Sequence, residues 1–133
     1  MLEGRHIVEQ FAKALDKEDY VMAQSLLSEV CVYECRDNRY QGPTEIIASY
    51  QVNGDAAKQF DSVEYQSEVV PQQNGQFCIH FTDRLSHRGH DFTFRCQQIV
   101  DVDETGKIAC ISHCDLPGQV EALSKFKKLA LHS

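Results

Sequence analysis

Three side chains in this sequence have the type and placement for proton chemistry: Asp83, His113 and Asp115. His113 and Asp115 are two apart. If they lie on a strand they share a face, with backbones roughly 7 Å apart and side-chain tips free to converge. A carboxylate beside an imidazole orients the ring and raises its pKa, which suits a general base. Asp83 interrupts an alternation in which Phe77, Ile79, Phe81 and Leu85 are set against Cys78, His80, Thr82, Arg84 and Ser86. The first set reads as the inner face of a strand, so Asp83 is a carboxylate on an apolar face. Such a group is costly to bury unless it is paired or protonated. Two buried carboxylates close together push one pKa up, which lets an acid and a base coexist. On the next such face, Phe92, Phe94, Cys96, Gln98 and Val100, the polar exception is Gln98.

Plainer roles compete for each residue. Asp115 precedes Leu116-Pro117, and aspartate is a preferred helix cap. His113 alone reads as a hydrogen-bonded structural histidine. Asp83 would pair with Arg84 or Arg95 if the alternation ran the other way. Cys35 and Cys96 read as packing thiols, and Tyr33 and Tyr50 as core residues with satisfied hydroxyls. In the last strand two sets stay open: Ile108, Cys110, Ser112 and Cys114 alternate with Ala109, Ile111, His113 and Asp115.

The spacing of His80, His87 and His90 matches no standard zinc motif, and His80 faces away from Asp83, so no metal is expected. No glycine-rich phosphate loop or G-x-S-x-G occurs, so no cofactor is expected.

The elements that must position these groups are legible in outline. Val8, Phe11, Ala12 and Leu15 repeat at helical spacing. Asp19 can cap a second helix carrying Ala23, Leu26 and Leu27. A short strand over residues 30–36 follows. Gly42-Pro43 opens a third helix, with Ile46, Ile47 and Tyr50 on its apolar face, and Asn53-Gly54 is expected to end it. Asn74-Gly75 signals a hairpin between strands 61–71 and 76–87. Further turns at Arg88-Gly89 and Glu104-Thr105-Gly106 separate strands 90–103 and 107–114. Tight turns between long strands give an antiparallel meander. A final helix over residues 117–131 turns Val120, Leu123 and Phe126 inward. Helices first and a meander second make an α+β fold.

With 133 residues, the chain fits one domain, residues 1–133, with one core. A net charge of −7 argues against nucleic-acid binding. Lys125, Lys127 and Lys128 read as a solvated face near a helix C-terminus. No apolar run is long enough to span a membrane. The start, Met1 to His6, lacks the pattern of a signal peptide, so a cytoplasmic protein is expected. Cys31 and Cys35, like Cys110 and Cys114, are four apart. On a strand that is about 13 Å, too far for a disulfide or a shared metal. Free thiols are expected at all six cysteines.

Four segments carry a resemblance. They are Val8-Glu-Gln-Phe-Ala-Lys-Ala-Leu15 with Lys17-Glu-Asp-Tyr20, Ser25-Leu-Leu27 with Cys31-Val-Tyr-Glu-Cys35, Tyr40-Gln-Gly-Pro-Thr-Glu-Ile-Ile47, and Gly106-Lys-Ile108 through Asp115. In this order they resemble the nuclear-transport-factor-2-like superfamily, in its SnoaL-like and ketosteroid-isomerase-like branch. The resemblance covers nearly the whole chain. It implies a cone-shaped, curved antiparallel sheet packed on three N-terminal helices, with a C-terminal helix and a pocket between sheet and helices. In the last strand it favours Ala109, Ile111, His113 and Asp115 as inward, and in the first Cys31, Tyr33 and Cys35.

The isomerase roles fall on residues that cannot fill them. Phe11 stands for the tyrosine, Cys35 for the carboxylate base and Gln98 for the protonated aspartate, so steroid isomerisation is not expected. What remains is a pocket for a small, largely apolar molecule. Asp83, His113 and Asp115 are its catalytic candidates, and Tyr33, Cys35, Tyr50, Phe81 and Gln98 its ligand-binding ones. Isomerase, cyclase or dehydratase-type chemistry is expected, or else a non-catalytic ligand-binding or dimerisation module. The resemblance also implies a homodimer through the outer sheet face, which carries His80, Thr82, Arg84, Thr93, Arg95, Gln97 and Ile99.

Overall fold

A computed structural model describes residues 2–132; Met1 and Ser133, the ends of the expected domain, lie outside the described residues. The elements run α1 (Leu2–Asp16), α2 (Tyr20–Ser25), β1 (Leu27–Cys35), β2 (Asn38–Gln41), α3 (Pro43–Ala57), β3 (Ser62–Pro71), β4 (Gln76–His87), β5 (His90–Val102), β6 (Ile108–Asp115) and α4 (Gln119–His132). The three helices, the meander and the final helix occur in the order the sequence predicts, with shifted boundaries at α2, β1, α3 and α4 and an additional short strand, β2.

Local chemistry accounts for most boundaries. Val8, Phe11 and Ala12 of α1 are buried. The Asp19 side chain caps α2 by accepting from the Met22 N–H at 3.2 Å. Leu27, expected in α2, instead begins β1 and pairs with Ile108. Gly42 precedes α3 at φ 85°, a left-handed value that favours glycine, and Pro43 follows in the first turn.

Asn53-Gly54 does not end α3, which continues to Ala57. A Cβ on Gly54 would stand 2.6 Å from the Tyr20 hydroxyl and 3.1 Å from the Glu18 carboxylate. Gly54 is therefore there for the close approach of α2 to α3, not for a helix stop.

The six strands are ordered β2-β1-β6-β5-β4-β3. β3 to β6 form the expected antiparallel meander. β1 joins it parallel to β6, so the sheet as a whole is mixed. β2 is a short polar strand that hairpins onto β1, and its four residues carry no alternation by which to recognise it.

A bulge resolves the ambiguous last strand. Asp101 pairs with Cys110 and Val102 with Ile108, leaving Ala109 as the extra residue. The bulge resets the alternation, so Ile108 and Ile111 are both fully buried. Beyond it Ile111, His113 and Asp115 share the inner face.

The apolar interior falls into two clusters. The larger joins α1 and α3 to the sheet through Val8, Phe11, Ile46, Ile79, Val100 and Ile111. The smaller joins α4 to the far end of β4 and β5 through Phe60, Leu85, Phe126 and Ala130, with Phe92 and Leu123 at its edge. Val120, expected inward, is 40% exposed: it precedes the turns of α4 that reach this cluster. Phe94 and Cys96 are buried but belong to neither cluster, and half-buried Asp83 lies beside them.

All six cysteines are free. Lys125, Lys127 and Lys128 are exposed. Among the described residues, no helix is long and apolar enough to cross a membrane.

The core predicts its own test. Ile79 is fully buried in the larger cluster, and Leu129 on α4 is 60% exposed. Ile79→Ala should cost about 2–5 kcal/mol in urea denaturation, whereas Leu129→Ala should stay within about 0.5 kcal/mol of the wild type. Equal losses would contradict the placement of the core.

Candidate functional site

Three strands and one helix bring Tyr33, Tyr50, Gln98, His113 and Asp115 together. The parallel register sets Tyr33 beside Ile111 and Glu34 beside Ser112, so Tyr33 and Cys35 share the inner face with His113. On the other side of β6, Gln98 pairs with His113 and Cys96 with Asp115. Tyr50 reaches in from α3.

The result is a continuous polar chain. The Tyr50 hydroxyl donates to Gln98 Oε1 at 2.7 Å. Gln98 Nε2 donates to Tyr33 Oη at 3.1 Å and lies 3.2 Å from His113 Nδ1. His113 Nε2 is 2.9 Å from Asp115 Oδ1. Arg36 closes the chain as a fork, Nε donating to Asp115 Oδ2 at 2.8 Å and Nη2 to Oδ1 at 3.0 Å.

Gln98 is only 3% exposed. Among the described residues, no buried side-chain nitrogen or oxygen lacks a partner. Stacked rings wall the chain: Tyr33 lies between Tyr40 and Tyr50, with centroid distances of 5.6 and 5.2 Å. Phe11 meets Tyr50 edge-on at 5.9 Å, giving the tyrosine-role position a packing job.

Asp115 is thus an acceptor for Arg36 and His113. Burial acts to raise its carboxyl, but the hydrogen bonds from Arg36 and His113 outweigh burial and hold it below the usual carboxylate value. Arg36 itself is a residue that sequence reasoning missed. It sits in the tight β1–β2 turn at φ 56°, a left-handed conformation that disfavours side chains. A lone arginine in a turn gives no signal without knowledge of which strand lies alongside.

Asp83 stands apart from this chain. It pairs with Phe94 and with Tyr65, while Cys96 pairs with both Phe81 and Asp115. The side chains of Phe81 and Cys96 therefore lie on the path between the two carboxylates. Arg84 does not pair with Asp83; its guanidinium reaches Gln66 at 2.7 Å. Burial first, and the charge of Asp16 second, push Asp83 up to about 6. Asp16 is the second residue missed: it ends α1, accepts from the Ser67 hydroxyl and is itself raised by burial. Burial also pushes the Cys96 thiol up to about 12 and the Tyr33 and Tyr50 hydroxyls above their usual range.

Aromatic side chains pack around this polar chain. Two surface depressions occur elsewhere. One of about 580 Å³ lies at the β3–β4 turn around Pro71 and Asn74. The other, about 360 Å³, lies between Asp16, Glu18, Gly54 and Tyr65. Neither is lined by a member of the Tyr50-to-Arg36 chain or by Asp83. Among the described residues, no group of three or more His, Cys, Asp or Glu is placed to hold a metal ion.

No family model and no curated protein matches the chain. Solved structures do. A SnoaL-like polyketide cyclase from Shewanella denitrificans OS-217 is similar at 14% identity and a TM-score of 0.70, over 92% of this chain and 96% of the other. An NTF2-like protein of unknown function from Cytophaga hutchinsonii ATCC 33406 is similar at 14% identity and 0.63, over 89% and 94%. The chain has the nuclear-transport-factor-2-like fold. An LEH-like epoxide hydrolase from M. tuberculosis shares this fold at 20% identity and 0.67, over 100% and 98%. At such identities the nuclear-transport-factor-2-like likeness extends to the backbone and not to the reacting groups.

The raised Asp83 makes a pH prediction. Folded Asp83 keeps its proton up to about pH 6, whereas an unfolded aspartate releases it near about 3.9. Between these values the folded chain binds more protons, so this group makes stability fall as pH rises from about 4 to 6. Asp16, also raised, acts in the same direction; Asp115, being lowered, acts in the opposite direction and below that window. Urea midpoints measured across pH 4–7 should fall less steeply for Asp83→Asn than for the wild type; parallel curves would refute the burial of this carboxyl.

Proposed function

We propose that this chain binds a small, largely apolar molecule and moves a proton on it, with His113 as the base, Asp115 as its ionised partner and Asp83 as a separate acid. The observation that carries this reading is the Arg36–Asp115–His113 arrangement, three charged or ionisable groups in hydrogen-bonded line that runs from the exposed Arg36–Asp115 pair to the largely buried His113 ring. Its counterpart is the divergence of two carboxyls on one sheet face, Asp115 lowered and Asp83 raised. Environments that push two titratable groups apart suit one to donate a proton and the other to support its acceptance. The polyketide cyclase and epoxide hydrolase among the structural neighbours are consistent with such chemistry on this fold.

In this reading the ligand occupies the seam between the two apolar clusters, against Phe81, Phe94, Cys96 and Asp83, with Tyr33, Cys35, Tyr50 and Gln98 at its inner end. The chain works as one domain, residues 1–133, in the cytoplasm, without cofactor, nucleic-acid or membrane partner. A second reading, a non-catalytic binding or dimerisation module, is favoured by the hydrogen bonds that already engage Tyr33, Tyr50 and Gln98 with one another.

Thermal-shift titration and product analysis with a panel of small apolar ketones and epoxides separate the two. At least one compound should stabilise the wild type and be converted. Asp115→Asn should lower turnover by about 10²-fold or more. Asp83→Leu should be at least as stable as the wild type yet lose the ligand-induced shift. Binding without conversion supports the module; unfolding of Asp83→Leu makes Asp83 a structural residue and removes it from the site.

We also propose a homodimer through the outer sheet face, which carries His80, Thr82, Arg84, Thr93, Arg95, Gln97 and Ile99, none of them buried within the chain. Light scattering at tens of micromolar should give twice the 15.1 kDa of the chain; a monomer mass would overturn the pairing.

A further inference from the structure

The hydrogen bonds around His113 determine where its proton sits. Asp115 is held as a carboxylate by the Arg36 fork, so it can only accept, and His113 Nε2 must carry a hydrogen. In the neutral ring Nδ1 is then the bare acceptor. What faces it is the amide nitrogen of Gln98, a donor, while the amide oxygen takes the Tyr50 hydroxyl. The same nitrogen also donates to Tyr33. Gln98 is buried and pinned on three sides, so its orientation is not free.

We propose that Gln98 is a positioning residue for the His113 proton: it keeps Nδ1 as the basic nitrogen, turned toward the interior, and turns its own amide over when Nδ1 is protonated. An imidazolium Nδ1–H cannot point at an amide N–H. After a half-turn of the amide, Nδ1–H donates to Oε1, the Tyr33 hydroxyl donates to the same oxygen, and Nε2 donates to the Tyr50 oxygen. The three hydrogen bonds of the neutral state become three in the charged state. The proton taken up at Nδ1 stays on the ring, and its charge is balanced by Asp115.

The groups facing the ring permit this. Asp115 comes from β6, Tyr33 and Cys35 from β1, Arg36 from the turn after it, Cys96 from β5 and Tyr50 from α3. Burial raises the Tyr33, Tyr50 and Cys96 groups and keeps them neutral, while Asp115, paired with Arg36, carries charge next to the ring. The consequence is directional. Proton uptake is coupled to two tyrosine hydroxyls inside the cone and not to solvent at its rim.

This inference rests on His113 being the proton-carrying group of the site, but its test needs no ligand and fails separately. Nuclear magnetic resonance of the ¹⁵N-labelled wild type across a pH titration reads the ring nitrogens of His113 and the side-chain amide of Gln98. The neutral ring should show the Nε2–H tautomer, and the Gln98 amide signals should move with the same midpoint as the ring. Gln98→Glu places an anion before Nδ1 and should raise that midpoint by about one pH unit or more. An Nδ1–H tautomer, or a Gln98 amide indifferent to ring titration, overturns the proposal even in the wild type alone. An unshifted midpoint in folded Gln98→Glu does the same. Turnover lost in Asp115→Asn without these signatures would retain the proposed base and remove Gln98 from its control.

Discussion

A primary amide shut away from water must find its hydrogen bonds inside the protein, because each buried polar group left alone costs about 1–3 kcal/mol. Gln98 imposes that demand at the centre of the sheet, and much of the interior answers it. Tyr50 must hang from α3 at the height of β5. Tyr33 must come from a strand two places away, which requires β1 to run beside β6 in its observed register. His113 must turn inward, which requires the Ala109 bulge to have reset the strand before it. Polar contacts of this kind add little net stability, but they penalise every arrangement that leaves one of them unmade. The apolar residues around them would tolerate several packings; the amide tolerates few.

The parts of the fold that were legible in the sequence are those whose signal is local. The α1 stripe of Val8, Phe11 and Ala12, the Asp19 cap, the Gly42-Pro43 helix start and the Asn74-Gly75 hairpin each depend on neighbours within a few residues. So does the inward face of β4 and β5, because those strands run unbroken through their alternation. The identity of Gln98 as a polar intruder followed directly, and its partners Tyr33, Tyr50 and His113 were named with it.

What was not legible depends on contacts between distant segments. The parity of β6 is hidden by a bulge that leaves no residue signature. Gly54 looked like a helix stop because the tyrosine hydroxyl that explains it approaches from another helix. Arg36 sits 79 positions from the carboxylate it grips, in a turn with no motif. Asp16 meets Ser67 across 51 positions and raises Asp83 through space. Asp83, His113 and Asp115 were grouped by alternation, which places residues on a face but says nothing of what stands between them; Phe81 and Cys96 do.

The division of the interior into two clusters bears on how the molecule loosens. α4 is held by a patch with few fully buried residues, Phe60, Leu85, Phe126 and Ala130, while the sheet and the other helices share the larger core. The least costly excursion from the native state is therefore a partial one, in which α4 frays from the sheet and the rest stays folded. Such an opening wets Phe92 and Leu85 first and the Asp83–Cys96 row next, while the amide chain behind Tyr33 remains dry. Hydration of the two carboxyls is then unequal in time as well as in the static fold, with Asp83 sampling water at each excursion of the helix.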